Sequence, residues 1–389
     1  MLVRPTKCFA KWCSNDKHLI TSSIIEKNIF QDFTSHDLNS LKRVGFDRLQ
    51  IKSLFEQVHR FSYQGFARFE RLRFIYWSWD NGDKILYPLN SENELYIGTD
   101  HSMWCSFWPF FKTNDLSSFW CNLPDYTQES VNLIHSANDE GAAVWLGGQS
   151  HFGHFVVNFL APLFNNKETF DQLQSAKSCY IPHGYTQLHF NLIRQLWNNP
   201  QLSFREISGR NGIFSLYNVT VPALTDSTSV FKEIKGQLEI RNNNRTTVPG
   251  KCIFISRSPD GISDRLFQPS AFINSLIDCG FTIVEPTHLD IYQRLSLIGD
   301  AENILTESGS CGVNAYLFGN RHSNIKSFIP RSVLKSNVDT ELNMLLPVLS
   351  LLANENYIPL DNVRSDKVNS FYDKCIPPSI ESILSWMIT

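Results

Sequence analysis

The sequence predicts an α/β protein of two domains, with a helical and hairpin region at its N-terminal end. Three observations carry this. From Gly141 onward, short apolar runs alternate with helical spacings of about 10 to 15 residues, the pattern of strand–helix units. A polar, turn-rich stretch from Asn242 to Gly250 interrupts that alternation and reads as a linker. Upstream, Asn81-Gly82 sits between two aromatic, β-rich runs and signals a hairpin.

Taken in order, Thr21 to Tyr63 reads as helical, with apolar residues at three- and four-residue intervals in Leu41-Lys-Arg-Val44 and Ile51-Lys-Ser-Leu-Phe55. Phe66 to Leu89 reads as a hairpin in which Phe74–Trp79 meets Lys84–Tyr87. Trp104 to Trp120 is unusually aromatic and admits three readings: core of the first domain, a sugar-stacking surface, or an interfacial membrane patch. Ala142–Leu146 and Ser178–Ile181 are buried-strand candidates. Gly153–Ala161 and Tyr185–Trp197 read as helices, Ile213–Pro222 as a strand and Ser227–Arg241 as helical. Beyond the linker, strands are expected at Lys251–Ser256, Phe281–Glu285 and Ala301–Thr306. Helices are expected at Pro269–Cys279 and Leu289–Asp300, from Val313, and at Ile380–Met387 behind a Ser379 cap. The divisions are therefore 1–140, an N-terminal extension with part of the first domain; 141–241, the remainder of that domain; 242–250, the linker; 251–376, the second domain; and 377–389, a C-terminal helix.

Composition narrows the partners. The chain has 389 residues, 42% hydrophobic and 19% charged, a soluble globular balance. Its net charge of −3 offers no basic excess to neutralise a phosphate backbone, so nucleic acid is not an expected partner. Met1–Lys17 scatters Arg4, Lys7, Lys11 and Lys17 among apolar residues without an unbroken apolar run, unlike a secretory signal. No stretch reaches the roughly 18 apolar residues of a spanning helix. Nine scattered cysteines without a Cys-x-x-Cys pair suggest reduced thiols and a cytoplasmic setting, in which the sequons at Asn218 and Asn244 carry no meaning.

Open α/β sheets bind ligands beyond the carboxyl ends of their strands. Two such ends in the second domain carry suitable groups. Arg257 follows the first strand, and Arg265 lies further along the same loop. A lone arginine is most simply a surface ion pair, but two in one strand-end loop weigh toward an anion site, because the guanidinium fork matches phosphate oxygens. The second end is Glu307-Ser308-Gly309-Ser310-Cys311-Gly312, whose small residues allow backbone N–H groups at a helix start to approach a diphosphate. It matches neither the Walker loop nor the dinucleotide fingerprint.

In combination, Phe254-Ile-Ser-Arg257, Arg265, Gly280-Phe-Thr-Ile-Val-Glu-Pro286, Tyr292-Gln293, Ala301, Ser308-Gly-Ser310 and Asn314-Ala-Tyr-Leu-Phe318 resemble, in order and spacing, glycosyltransferase family 61. That family includes transferases of the capsular-polysaccharide type. Ser150-His151-Phe-Gly-His154-Phe-Val-Val-Asn158-Phe-Leu160 resembles the family's Gly-His-Phe segment, so the likeness runs from about Val144 to Phe318. Asn158 stands where many members carry a carboxylate, and Ser308 where the eukaryotic branch has histidine.

The resemblance implies a GT-B architecture, two Rossmann-like domains facing across a cleft with the donor in the C-terminal one. It implies inverting transfer from a nucleotide-sugar, UDP foremost, to a saccharide or lipid-linked saccharide acceptor. Association with the inner face of a membrane is compatible with such an acceptor. Inversion requires a base for the acceptor hydroxyl, positive groups for the departing diphosphate, and exclusion of water. Arg257, Arg265 and the Ser308–Gly312 turn are the candidates for the leaving group, with Gln293 and Asn314 supporting that loop or touching the nucleotide. His154 is the candidate base, since imidazole is the side chain whose unperturbed charge change lies close to neutral pH, or else a core histidine that anchors the loop; Asn158 lies near it in sequence. His151 and Glu285 are weaker choices, and Glu285 could instead hold a ribose or sugar hydroxyl. A non-catalytic sugar- or nucleotide-sugar-binding relative is the alternative that Asn158 raises.

No Asp-x-Asp pair occurs in the sequence, and hard divalent cations need clustered carboxylate oxygens. No metal or other cofactor is expected. Sugar transfer should therefore persist in EDTA; activity lost to the chelator and restored by Mn²⁺ would overturn the expectation.

Overall fold

The structure, a computed structural model, describes residues 4–6, 9–27, 62–78, 84–96, 143–145, 152–160, 171, 174–182, 185–207, 212–223, 234–238, 246–256, 269–307, 309–330, 357–361 and 375–388. The protein is α/β, with one mixed sheet and one parallel sheet. The described residues within 1–29 and 58–230 form one compact unit, and those within 231–389 form another.

In the first unit the strands are β1 (Arg4–Thr6), β2 (Leu19–Lys27), β3 (Ser62–Ser78), β4 (Lys84–Leu89), β5 (Glu94–Tyr96), β6 (Ala143–Trp145), β7 (Ser178–Pro182), β8 (Ser203–Ile207) and β9 (Gly212–Pro222). Among the described residues they make one nine-stranded sheet in the order β1-β5-β4-β3-β9-β6-β7-β8, with β2 on β3. The hairpin read from Asn81-Gly82 is present as antiparallel β3–β4, with Ser78 opposite Lys84. It does not stand apart as an extension: β3 pairs antiparallel with β9 from Phe66↔Pro222 to Tyr76↔Gly212. β9, β6, β7 and β8 run parallel to one another, as do β1 and β5, while the other described pairings are antiparallel, so this sheet is mixed rather than wholly parallel.

One helix expectation fails at its start. Thr21–Lys27 is strand, paired antiparallel with β3 from Leu19↔Phe69 to Lys27↔Ser62. The β-branched run Ile20-Thr21 and Ile24-Ile25 favours a pleated surface, and the periodicity that suggested a helix comes from residues further on. The remainder of that stretch, 28–61, and the aromatic segment 104–120 lie outside the described residues.

Helix α1 (Phe9–Ser14) seats an aromatic core against this sheet. Trp12 lies 5.3 Å from Tyr96 and 5.4 Å from Phe69 between ring centroids, and Phe9 lies 4.8 Å from Tyr96. The Trp12 indole donates to the Glu94 carbonyl at 2.8 Å, which satisfies the one polar atom this burial would otherwise strand. Helix α2 (Gln187–Trp197) buries the stripe Leu188, Leu192, Ile193 and Leu196 and ends at Asn198, which adopts the left-handed conformation at φ 50°.

The second unit carries β10 (Val248–Ile255), β11 (Phe281–Val284), β12 (Ala301–Glu307), β13 (Asn324–Pro330) and β14 (Tyr357–Leu360), all parallel, in the order β11-β10-β12-β13-β14. Val248–Gly250, read from sequence as the end of the linker, open β10. β13 and β14 were not anticipated. Helices α3 (Pro269–Asp278), α4 (Ile291–Leu297) and α5 (Ser310–Phe318) join successive strands, as parallel pairing demands. Alternation along β12 splits the core. Leu305 packs with Phe254, Phe272, Leu276 and Phe328 on the α3 face, while Ile304 faces Gly319 at the end of α5. The C-terminal helix α6 (Ile380–Ile388) begins at Ser379, whose hydroxyl accepts from the Ser382 N–H at 3.3 Å. It closes the α3 face through Ile383, with Ile380, Trp386 and Met387 alongside, so it belongs to the second unit's own core. Among the described residues no helix is long and apolar enough to cross a membrane.

Gly65 marks the tightest backbone approach in the first unit. Its φ is +122°, and a Cβ there would lie 1.7 Å from the Ser23 carbonyl oxygen of β2. Gly65→Ala should destabilise the first unit by about 3 kcal/mol or separate β2 from β3, read as a lowered urea midpoint.

Candidate functional site

The carboxyl ends of β10, β11 and β12 lie side by side, and the chain leaves each toward a helix. This is the edge at which an open parallel sheet binds ligands. β12 is its middle strand. Its last residue, Glu307, is 3% exposed although it carries a carboxyl group. Two residues on, Gly309 takes φ +85° and ψ −136°, a region open essentially to glycine alone. α5 then begins at Ser310, earlier than the Val313 expected from sequence, so Ser310, Cys311 and Gly312 are its first turn rather than the turn before it. Val313 N–H donates back to the Gly309 carbonyl at 3.0 Å. The helix supplies no acceptor for the N–H groups of its own first turn, and its dipole is positive there. From Cys311 to Phe318 every residue is buried, as a helix apolar on all sides must be.

The loop after β11 forms the neighbouring wall. Glu285 precedes a short 3₁₀ turn, Pro286–His288, and its side chain is 13% exposed, with Oε2 4.0 Å from Nε2 of the solvent-facing His288. α4 then starts with a reciprocal cap: Asp290 accepts from the Gln293 N–H at 2.8 Å, and the Gln293 side-chain oxygen accepts from the Asp290 N–H at 2.9 Å. Gln293 is thus engaged in starting α4.

Asn314 is hydrogen-bonded to the start of α5. It is buried, and its amide donates to the Ser310 carbonyl at 2.7 Å while its oxygen accepts from Arg294. Arg294 is the residue that sequence reasoning missed. Its guanidinium is 3% exposed and donates to the Pro286 carbonyl, to the Leu289 carbonyl at 3.1 Å and to Asn314, with the Phe318 ring 5.7 Å away. Burial brings its pKa down to about 10, against a smaller opposing influence of Cys311, so it is still a cation at neutral pH. The available signal was its position: Ile291, Arg294, Leu295 and Ile298 form the stripe of α4 that faces the core.

Glu285, Glu307, Gly309, Ser310 and Asn314 therefore share one sheet edge. Arg257, Arg265 and Ser308, which the sequence puts at the same strand ends, lie outside the described residues, as does His151. His154 ends a short helical turn, Phe152–His154, in the first unit, and Asn158 lies on the π-helix Phe155–Leu160 that follows directly. The wider turn of a π-helix is uncommon and often coincides with functional sites. Its buried Phe155 packs edge-on to Tyr185 and to His189, at 5.2 and 4.8 Å between ring centroids. His189, 4% exposed on the apolar face of α2, accepts the Thr186 N–H at Nδ1 at 3.0 Å, which favours the tautomer protonated at Nε2. Burial raises the Tyr185 hydroxyl well above its usual range, keeping it neutral.

Among the described residues no group of three or more His, Cys, Asp and Glu side chains gathers as metal ligands. The six described cysteines form no disulfide, and burial pushes the Cys179 thiol far up. No protein-family model matches the chain, and a search of curated proteins finds no match.

The Gly309 conformation gives a direct check on how the turn is held. Gly309→Ala should cost about 1–3 kcal/mol in the second unit's stability, seen as a lower urea midpoint with an unchanged slope.

Proposed function

We propose that the protein is an inverting glycosyltransferase that moves a sugar from a nucleotide donor, UDP in the first instance, to a saccharide acceptor in surface polysaccharide assembly. The observation that carries this reading is the start of α5: a glycine-permitted backbone at Gly309 turns the chain from the middle strand of an all-parallel sheet straight into a helix N-terminus. Such a terminus suits a diphosphate, because fixed backbone dipoles stabilise negative charge without reorganising as it develops. The ordered likeness of Phe254–Phe318 to family 61 supports the same reading.

In this proposal the second unit binds the donor within a GT-B architecture. Arg257 and Arg265 join the α5 turn in neutralising the departing nucleoside diphosphate, and Glu285, largely shielded at the end of β11, accepts from a hydroxyl of the ribose or the sugar. His154 takes the acceptor proton. The carboxylate that many relatives carry is replaced by Asn158, which remains neutral and can orient but cannot remove a proton. The cytoplasm, where nucleotide-sugars are made, is the proposed setting, and no metal is required.

The test uses the full chain with a panel of UDP-sugars. Slow hydrolysis of the donor to UDP is expected, cut by about 10²–10⁴-fold in His154→Ala. UDP should raise the unfolding temperature of the wild type, and Arg257→Ala and Arg265→Ala should each weaken UDP binding by about 1.5–3 kcal/mol, as for a lost charge-assisted bond. An identical response of wild type and both variants would remove the phosphate site. Binding without turnover on any acceptor would favour a non-catalytic sugar-binding relative.

A further inference from the structure

We infer that Arg294 is the positioning residue of the donor site, locking the loop after β11 to the opening turns of α5 so that the two strand ends bind the nucleoside diphosphate as one preformed surface; this rests on the donor-site reading above. Three acceptors carry the argument. The Pro286 and Leu289 carbonyls belong to the loop that begins at Glu285, and the Asn314 side chain belongs to α5. Asn314 passes the connection on by donating to the Ser310 carbonyl, in the first turn of the helix. A continuous path of hydrogen bonds thus runs from the Glu285 loop through a single guanidinium to the Gly309–Ser310 turn.

The strands these loops leave are not neighbours. β10 lies between β11 and β12, so no ladder bond joins the loop after β11 to the turn after β12. Arg294 makes the join instead, from within α4, the helix that crosses from β11 to β12. No other residue type fits the task as well. The planar fork presents five N–H donors in fixed directions, whereas a lysine ammonium in the same space can reach fewer acceptors and holds them less rigidly. The chemistry also explains why a cation occupies the apolar stripe of α4 beside Ile291 and Leu295. An aliphatic residue would fill the space and leave two loop carbonyls and the Asn314 oxygen without this donor.

A preformed surface lowers the ordering cost of binding, so loosening it should appear as lost ligand affinity before lost chemistry. A purely structural arginine would behave differently: its removal would lower stability, while the molecules still folded would bind as before. The experiment measures UDP affinity by calorimetry at 10 °C, where the variants are most stable, on the full-length wild type, Arg294→Lys, Asn314→Ala and the double variant. Urea unfolding is followed in parallel. Asn314→Ala removes one acceptor and keeps the arginine, so it serves even where Arg294→Lys fails to fold.

The expected result is about a tenfold loss of UDP affinity in each single variant that remains folded. The double variant should lose no more than the worse single one, because both changes break the same path. With a UDP-sugar the donor KM should rise while kcat changes less. Wild-type affinity in folded Asn314→Ala and Arg294→Lys, with only the urea midpoint lowered, would overturn the inference and leave the donor site standing. A wild type that does not bind UDP would overturn the donor site and the inference together.

Discussion

Parallel pairing of β10 between β11 and β12 is the constraint on which the second unit depends. Parallel neighbours cannot be joined by a tight turn, so each connection must cross back over the sheet; from β10 to β13 the described crossovers run through α3, α4 and α5, with α3 and α5 packed on opposite faces. The strands accordingly read as near-continuous apolar runs, Ile253-Phe254-Ile255 and Ile304-Leu305 among them, with a fully buried Phe or Leu side chain contributing about 2–3 kcal/mol. The same constraint sends the chain from the ends of β10, β11 and β12, all on one side of the sheet, toward a helix. The candidate site is a by-product of how the core closes: the groups at that edge are there because the sheet is parallel. Within that edge Gly309 sets the conformation of the turn, and Arg294 joins the loop after β11 to α5.

The first unit solves a different problem. Its sheet joins a parallel half, β9-β6-β7-β8, to a mixed half in which only the edge pair β1–β5 among the described strands is parallel, and β3 is the shared member that pairs with β2, β4 and β9. Polar groups near α1 are satisfied locally: Asn90, wholly buried, donates to the Trp12 carbonyl and to the Glu94 carboxylate. The α1 aromatics can therefore pack without leaving hydrogen-bonding groups stranded. The π-helix carrying Asn158 sits in this unit, and its first residue, Phe155, packs edge-on against the Tyr185 and His189 rings.

Much of the second unit was legible in the sequence because its signals are local. Lys251–Ser256, Phe281–Glu285 and Ala301–Thr306 each combine β-branched or aromatic runs with flanking turn residues, and the helices between them show a clear stripe. The misses have physical causes. Thr21–Lys27 became strand because it found a partner in β3, and pairing of that kind cannot be read from its own residues. The early start of α5 was hidden by its glycines, which read as turn until Gly309 alone is seen to carry the positive φ. Arg294 was passed over because a charged residue on an apolar stripe shows its purpose only when its acceptors, far off in sequence or in backbone carbonyls, are known. Glu285, Glu307, Gly309, Ser310 and Asn314 lie near one another because strand ends converge in any parallel sheet, and Gln293 makes a reciprocal cap with Asp290 that its spacing of three residues allows.

The long pairing of β3 with β9 also bears on how the chain reaches this fold. Phe66 meets Pro222 and Tyr76 meets Gly212, so β3 leaves the ribosome well before its principal partner exists. Contacts so distant in sequence raise the entropic barrier to folding and prolong the life of partly formed states. Until β9 arrives, one edge of an aromatic strand stands open to strands of other chains. A fragment ending before Gly212 lacks β9, the partner of β3 from Phe66 to Tyr76, and would be a poor candidate for independent folding, however complete its hairpin.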